Sequence, residues 1–352
     1  MEKLIRIGVD TSKGVFQLHG VDGSEQAVLK KKLRRSQVVE WFAKAEPTKV
    51  GLEACGGSHH LARELRALGH DAVLIPPQYA KPYLARNKND AADAEAICEA
   101  MSRPKVQKRF VAVKTAEEQA VQMLVGTRDG LVRRRTQLAN AIRGHAAEFG
   151  IVAPKGLGHI ENLLARLEGD EDVPELAKEM FALHKAQYIH VQILLRQAEA
   201  RLLAHYRQNE LCQRLAAIPG VGPVGAVMLA GKISNTASFS SGRDFGAWLG
   251  LTPKDHSTAG KYRLGSITRA GDEGLRSTLV QGATALIQHV QRGHRRNVSP
   301  WLLELLKRKP PKLVAVALAN KTARIAWKLM VSGERYDARR SGLIDTATKE
   351  AA

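Results

Sequence analysis

Three extended segments in succession restrict this chain more than any other feature. Ile5, Ile7 and Val9 alternate with Arg6, Gly8 and Asp10, the period-two pattern of a strand that ends in a carboxylate. Thr11-Ser12-Lys13-Gly14 turns the chain and Val15 to Val21 reads as a second strand. Asp22-Gly23 is a hairpin turn into a third strand, around Ala27 to Leu33. Residues 37–45 are predicted helical, with Val38, Val39 and Phe42 as the apolar face. Lys49 to Glu53 is a short strand that again ends in an acid, Ser58 to Leu68 a helix, and His70 to Ile75 a last strand before Pro76-Pro77. Three antiparallel strands followed by alternating helices and strands predict a mixed α/β sheet with helices packed on it.

Asp10 and Glu53 then stand at strand ends, where side chains converge on one rim of a sheet. Downstream, Lys88-Asn89-Asp90-Ala91-Ala92-Asp93-Ala94-Glu95-Ala96-Ile97 is an Ala-rich run of high helix propensity, with Asn89 available as its N-cap. A spacing of three puts Asp90 and Asp93 on one face of the first turn. Two carboxylates that close repel unless a cation or protons sit between them, and a hard divalent ion is the stronger explanation. Taken alone, Asp90 and Asp93 are acids that favour an exposed first turn, and Glu53 is a solvated residue after a strand. Grouped on one rim, Asp10, Glu53, Asp90 and Asp93 can hold two Mg²⁺ ions, for which Mn²⁺ can substitute. One ion would activate a water or hydroxyl and the other the leaving oxygen of a phosphodiester. No Cys/His set accompanies the acids, so zinc is not encoded. Gly8 to Lys13 is also similar to the first phosphate loop of the sugar-kinase and actin-like fold, but no later glycine-rich loop completes such a site.

The 352 residues carry 54 Lys plus Arg against 35 Asp plus Glu, a formal charge of +19. An excess spread along the whole chain favours a nucleic-acid partner over an acidic small substrate. An anionic membrane is the competing partner, but the sequence has neither a signal peptide nor a spanning apolar run; a cytoplasmic location is expected. Cys55, Cys98 and Cys212 lack CxxC spacing and secreted-domain density, which fits a reducing compartment.

Residues 115–149 read as a long basic helix that includes Arg133-Arg134-Arg135, and Pro154-Lys155-Gly156-Leu157-Gly158 breaks it. A second long helix spans residues 174–215, with apolar or small residues near Leu176, Met180, Leu183, Tyr188, Val191 and Leu195. Two such helices joined by a shorter one suggest an antiparallel coiled-coil arm that could dimerise, hold RNA or both. The expected division is a catalytic α/β domain over 1–114, the arm over 115–213, a mainly helical domain over 214–335 and a disordered tail over 336–352. Within the helical domain, Ile218-Pro219-Gly220-Val221-Gly222-Pro223 resembles the turn of a helix-hairpin-helix module. There the backbone N–H groups around Gly220 and Gly222 would meet a DNA phosphate; close packing of two helices is the alternative. Phe245, Trp248 and Leu249 are predicted to share one buried helix face. The segment from Lys254 to Gly265 combines small hydroxyls, a flexible glycine and the cations Lys254, Lys261 and Arg263, with Arg269 just beyond: the composition of a phosphate-binding loop. A serine there is a poor nucleophile unless polarised, a task open to His256, Lys261 or a metal centre. The basic run Lys307 to Lys312 is read first as a solvated face.

The blocks Ile7-Gly8-Val9-Asp10-Thr11-Ser12-Lys13, Gly51-Leu52-Glu53-Ala54-Cys55-Gly56 and Lys88-Asn89-Asp90-Ala91-Ala92-Asp93-Ala94 resemble the Asp-Glu-Asp-Asp core of the RuvC-like nucleases within the ribonuclease H fold. More narrowly, the chain is similar to the DEDD insertion-sequence transposases related to the Piv DNA invertase. The segment from Ala247-Trp248-Leu249-Gly250 through Ser257-Thr258-Ala259-Gly260-Lys261 to Gly271-Asp272 resembles the transposase domain of the same family, so the likeness spans residues 3–330. Asn89 stands where the family usually has threonine or serine, and Thr258 and Ala259 depart from its usual pattern of two hydroxyl residues and two glycines. The resemblance implies a recombinase that cuts and rejoins DNA of a mobile element, guided by a structured bridge RNA that pairs with donor and target DNA. It implies Mg²⁺ on Asp10, Glu53, Asp90 and Asp93, and a loop serine bonded covalently to DNA: Ser257, ahead of Thr258 and Ser266. It further implies an arm used in protomer pairing, a homodimer assembling to a tetramer, and an active site whose halves meet between protomers. Two other accounts stay open: a structure-selective metal-dependent nuclease with no covalent intermediate, and a non-catalytic nucleic-acid-binding scaffold.

Overall fold

A computed structural model describes residues 3–11, 14–84, 90–233, 235–258, 260–294 and 298–337. Ser12, Lys13, Lys88, Asn89, Ala259 and the tail from residue 338 lie outside these, and with them the expected Asn89 cap and most of the expected tail. The chain divides into two compact units, Met1–Gln119 with Lys232–Phe245, and Ala120–Gly231 with Gly246–Ala352.

The first unit opens with β1 (Leu4–Thr11), β2 (Val15–Asp22) and β3 (Ala27–Arg34), an antiparallel meander. Asp22 makes the β2–β3 turn, its Oδ1 accepting from Ser24 N at 2.9 Å and Gln26 N at 3.0 Å. Helix α1 (Arg35–Lys44) follows, then β4 (Lys49–Glu53), α2 (Ser58–Ala67) and β5 (Asp71–Ile75). β4 lies parallel to β1 and β5 parallel to β4, giving the order β3-β2-β1-β4-β5 of a RuvC-like, ribonuclease H-like sheet. One face buries Ile7, Val9, Leu18, Leu33, Val50 and Leu52 against Val38 and Phe42 of α1 and Leu61 and Leu65 of α2. Val39, expected on that apolar face, is 37 % exposed.

The short helices α3 (Pro77–Ala80) and α5 (Pro104–Gln107) flank α4 (Asp90–Ser102), which covers the opposite face of the sheet. Ile97, Cys98 and Met101 of α4 are about 1 % exposed, and burial of the two larger side chains contributes about 1.5–3 kcal/mol each. The segment Lys232–Phe245 closes onto this unit through an ion pair of 3.3 Å between Arg109 and Asp244.

In the second unit α6 (Ala116–Glu148) and α8 (Glu175–Gln208) run antiparallel, shown by Arg128 pairing with Glu199 and His145 stacking on His184. Between them α7 (Ile160–Gly169) supplies Ile160, Leu163, Leu164 and Leu167 to a core with Ile142, Phe181 and Tyr188. Of the apolar stripe read along α8, Tyr188 and Leu195 are buried, whereas Leu176, Met180 and Leu183 are 69, 45 and 58 % exposed. The remainder comprises α9 (Glu210–Ala216), α10 (Pro223–Lys232), α11 (Gly242–Trp248), the hairpin β6 (Pro253–Asp255) and β7 (Leu264–Ile267), α12 (Glu273–Gln291), α13 (Pro300–Arg308) and α14 (Pro311–Ser332), with Lys232 and the α11 residues up to Phe245 counted in the first unit. Asp272 caps α12 by accepting from Leu275 N at 2.7 Å. Phe245 and Leu249 are fully buried, but Trp248 keeps 37 % of its surface exposed and is no full core residue. Among the described residues no helix is long and apolar enough to cross a membrane.

Candidate active site

Asp10 lies one residue from the end of β1 and Glu53 ends β4. Val9 pairs with Leu52 in the parallel ladder, so Asp10 and Glu53 are the next residues on neighbouring strands at one edge of the sheet. Helix α4 begins over that edge, and its first turn brings Asp90 and Asp93 to Asp10. Carboxylate oxygens of Asp10, Asp90 and Asp93 all lie within 4.8 Å of one another. Glu53 is outside that trio, although its charge reaches Asp10. Burial, then the charges of Asp93, Asp90 and Glu53, push Asp10 up from 3.8 to about 6.

These residues fit a hard divalent cation. Every donor is a carboxylate oxygen, and the negative charges of Asp93, Asp90 and Glu53 add to burial in raising Asp10, a crowding that a cation relieves. Mg²⁺ and Mn²⁺ match this donor set, whereas zinc would seek the Cys or His ligands that are missing from it. Cys55 stands beside this edge, its Sγ 3.2 Å from Thr11 Oγ1.

Three residues of the sheet, Gly8, Gly51 and Arg6, bring α4 this close. Gly8 of β1 faces α4 so tightly that a Cβ there would overlap the Ala94 carbonyl oxygen and stand 2.5 Å from Cys98 N. Gly51 of β4 likewise faces Met101. Arg6, only 7 % exposed, donates from Nε to Cys98 O at 3.0 Å and pairs through both terminal nitrogens with Glu25 in the β2–β3 turn. The Arg6 guanidinium therefore ties β1, the hairpin and α4 together, and the Glu25 bond raises its own pKa further. Arg6 was not singled out from sequence, because its partners lie 19 and 92 residues away.

Ser257 sits in the turn of the β6–β7 hairpin, a segment read from sequence only as a polar loop. Its amide donates to Asp255 Oδ1 at 2.8 Å, and its Oγ accepts from Arg263 N at 3.1 Å. Hydrogen bonds from the Ser257 hydroxyl and amide hold the Asp255 carboxyl below its ordinary range. Asp255 thus holds the Ser257 amide, a partner not singled out from sequence; its place two residues before the serine was the available signal. Lys254, Lys261 and Arg263 are exposed on the same hairpin, Lys261 N donating to Thr258 O at 2.9 Å. Arg269 is exposed just beyond it and holds a left-handed φ of 57°.

The turn after α9 contains both expected glycines. Gly220 has a φ of +85° and packs on α12, where any side chain at Gly282 would overlap the Gly220 carbonyl oxygen. Packing alone therefore accounts for Gly220. A Cβ on Gly222 would meet nothing within 4 Å, so that position is open on its outer side.

The chain is 61 % identical over 336 residues, 96 % of its own length and 86 % of the other's, to the y4pF/y4sB protein of Sinorhizobium fredii, whose name places it among the transposases. The chain belongs to the IS116/IS110/IS902 family of DEDD transposases. The DEDD transposase model matches residues 7–150, which contain all four predicted acids, and the IS116/IS110/IS902 transposase model matches 212–298, which contain the Gly220 turn and Ser257. The transposases for insertion sequence elements IS1328 of Yersinia enterocolitica and IS1111A of Coxiella burnetii are 38 and 37 % identical to it. The first alignment covers 95 % of this chain and 98 % of the relative, the second 96 and 92 %. In this transposase the acidic trio is therefore a DEDD-like cluster.

Proposed function

We propose that this transposase cuts and rejoins DNA strands of its mobile element with Asp10, Glu53, Asp90 and Asp93 as a divalent-metal centre and Ser257 as a nucleophile. The observation that carries the reading is the convergence of Asp10, Asp90 and Asp93 within 4.8 Å in a chain of the DEDD family. A hard divalent ion held there supplies positive charge that offsets the carboxylates and the approaching phosphate. Ser257 Oγ attacks the scissile phosphorus, the cut strand leaves as a hydroxyl, and the phosphoserine ester conserves bond energy for rejoining. Asp255, kept ionised by its bonds to Ser257, positions that hydroxyl. Lys254, Lys261, Arg263 and Arg269 neutralise phosphate oxygens as charge develops. Gly222, with Gly220 shaping the turn, offers backbone N–H groups to a DNA phosphate in the manner of a helix-hairpin-helix.

The same reading takes residues 1–114 as the catalytic domain, 115–213 as a coiled-coil arm and 214–335 as the serine-bearing domain. The outward Leu176, Met180 and Leu183 suit the arm to pairing with a second copy, as a homodimer that assembles to a tetramer. A net charge of +19 suits donor and target DNA together with a structured bridge RNA.

One observation favours a second reading, a nuclease without a covalent intermediate: the acidic trio is built within a single unit, without Ser257. Trapping the reaction on labelled DNA separates the two. Under the recombinase reading a digested peptide carries nucleotide on Ser257, and Ser257→Ala loses the adduct while Thr258→Ala keeps it. An active Ser257→Ala protein would remove the serine mechanism, and an adduct on Thr258 or Ser266 would move it.

A further inference from the structure

The edge strand β3 carries Lys30, Lys31, Lys32 and Arg34, all exposed. In a strand, alternate side chains face opposite sides of the sheet. Leu33 is buried among Val38 and Phe42 of α1, and the Lys31 ammonium lies 5.8 Å from the centre of the Trp41 ring, so this set faces α1. Lys30, Lys32 and Arg34 must then face the side that carries α4 and the acids. Strand register says the same: Asp10 pairs with Gln17 and Gln17 with Lys32, while Gly8 pairs with His19 and His19 with Lys30. The Lys30 charge is felt at His19, whose pKa is lowered first by burial, against the pull of Glu95 on α4.

We infer that Lys30, Lys32 and Arg34 form a phosphate-binding row that holds the DNA strand passing beside the carboxylate site. The inference rests on the proposed metal centre for the choice of DNA. Lys32 lies two strands from Asp10, about 10 Å at ordinary strand spacing, and successive cations on the row are about 7 Å apart. A lysine or arginine side chain bridges much of that gap, so Lys32 at the middle of the row adjoins the site, with Lys30 and Arg34 extending the row to either side along the strand. Among the described residues none of the three is in an ion pair, which leaves their charge to a ligand. Lysines on an edge strand also discourage pairing with another sheet. Lys31 alone would serve that purpose from the α1 side, and it gives no reason for three cations on the Asp10 side. The row also answers an electrostatic difficulty: three carboxylates within 4.8 Å of one another repel a phosphate, and cations beside them restore attraction without occupying the site.

The test uses the full chain and a fluorescein-labelled duplex of the element's own terminus, in Ca²⁺ to hold back cleavage. Neutralising the row with Lys30→Gln, Lys32→Gln and Arg34→Gln together should lower the slope of log affinity against log salt by about 2–3, near 0.9 per lost phosphate contact. Lys31→Gln should leave the slope unchanged, and both proteins should bind Mn²⁺ as the parent does. Independently of how the triple variant folds, a benzophenone amino acid at position 32 should cross-link to DNA within a few nucleotides of the scissile phosphate. An unchanged slope, an equal effect of Lys31→Gln, or cross-linking to co-purified RNA instead of DNA overturns the row. If Asp10→Asn still cleaves while the slope falls, the metal-centre reading fails and the row stands as a DNA contact.

Discussion

Replacing Gly8 by alanine should disable the acidic site from beneath. The new Cβ would overlap the Ala94 carbonyl oxygen, stand 2.5 Å from Cys98 N and 2.8 Å from Cys98 Cβ, where ordinary contact begins at 3.4 Å. These are backbone and near-backbone atoms of α4, so no rotamer change relieves them. Either β1 or α4 must retreat by about 1 Å, and over-packing of this kind costs about 1–3 kcal/mol. The larger effect falls on function, because α4 carries Asp90 and Asp93 while β1 carries Asp10. A displacement of about 1 Å at a reacting centre costs on the order of 100-fold in rate. Gly126→Ala in α6 is the control, since a Cβ there meets nothing within 4 Å. Thermal melting, Mn²⁺ binding by paramagnetic resonance and cleavage of labelled DNA should be measured on both. Gly8→Ala should melt a few degrees lower, bind Mn²⁺ more weakly and cleave about 100-fold more slowly, with Gly126→Ala like the parent. A Gly8→Ala protein that melts, binds and cleaves like the parent would show that the close approach does not set the site.

Three further outcomes follow from the same contacts. Asp10 holds its proton more tightly folded than unfolded, so its contribution to stability is full below about pH 3.8 and is lost as pH rises through about 6. In EDTA the parent should lose about 1–3 kcal/mol relative to Asp10→Asn across that window, allowing for partial solvation, and Mg²⁺ should offset the loss above it; a flat difference in chemical denaturation would contradict this. Arg6→Met leaves Cys98 O without its bond and Glu25 without its partner, and should destabilise by about 1–3 kcal/mol, whereas Glu25→Gln, at an exposed carboxylate, should cost less. Asp255→Ala should slow formation of the Ser257 adduct while leaving duplex affinity close to the parent's, read as adduct yield against fluorescence anisotropy.

Much of the first unit was legible because its signals are local. Alternation in Ile5, Ile7 and Val9, the Asp22 turn and the acid-ended strands at Asp10 and Glu53 each lie within a few residues, and all reappear in β1 to β5. The three-residue spacing of Asp90 and Asp93 likewise placed both on the turn that meets Asp10. Glu53 reached the same edge but not the trio, a difference that no strand pattern encodes. The strut from Arg6 to Cys98 and the bare contact at Gly8 depend on long-range packing, so the sequence near them carries no mark of either. The β6–β7 hairpin escaped because its residues are nearly all exposed and show no apolar alternation. Helical periodicity along α8 predicted a stripe but not which part is covered: Tyr188 meets α6 and α7, while Leu176 and Leu183 point outward.

The most direct test of the central claim is strand cleavage by charge-neutral acids: Asp10→Asn, Asp90→Asn, Asp93→Asn and Glu53→Gln, each assayed with Mg²⁺ on end-labelled element DNA beside Mn²⁺ binding. The three aspartate variants should fold, lose Mn²⁺ binding and lose cleavage by at least about 100-fold, with Glu53→Gln impaired in the same direction. Folded aspartate variants that bind Mn²⁺ and cut DNA at the parent's rate would contradict it.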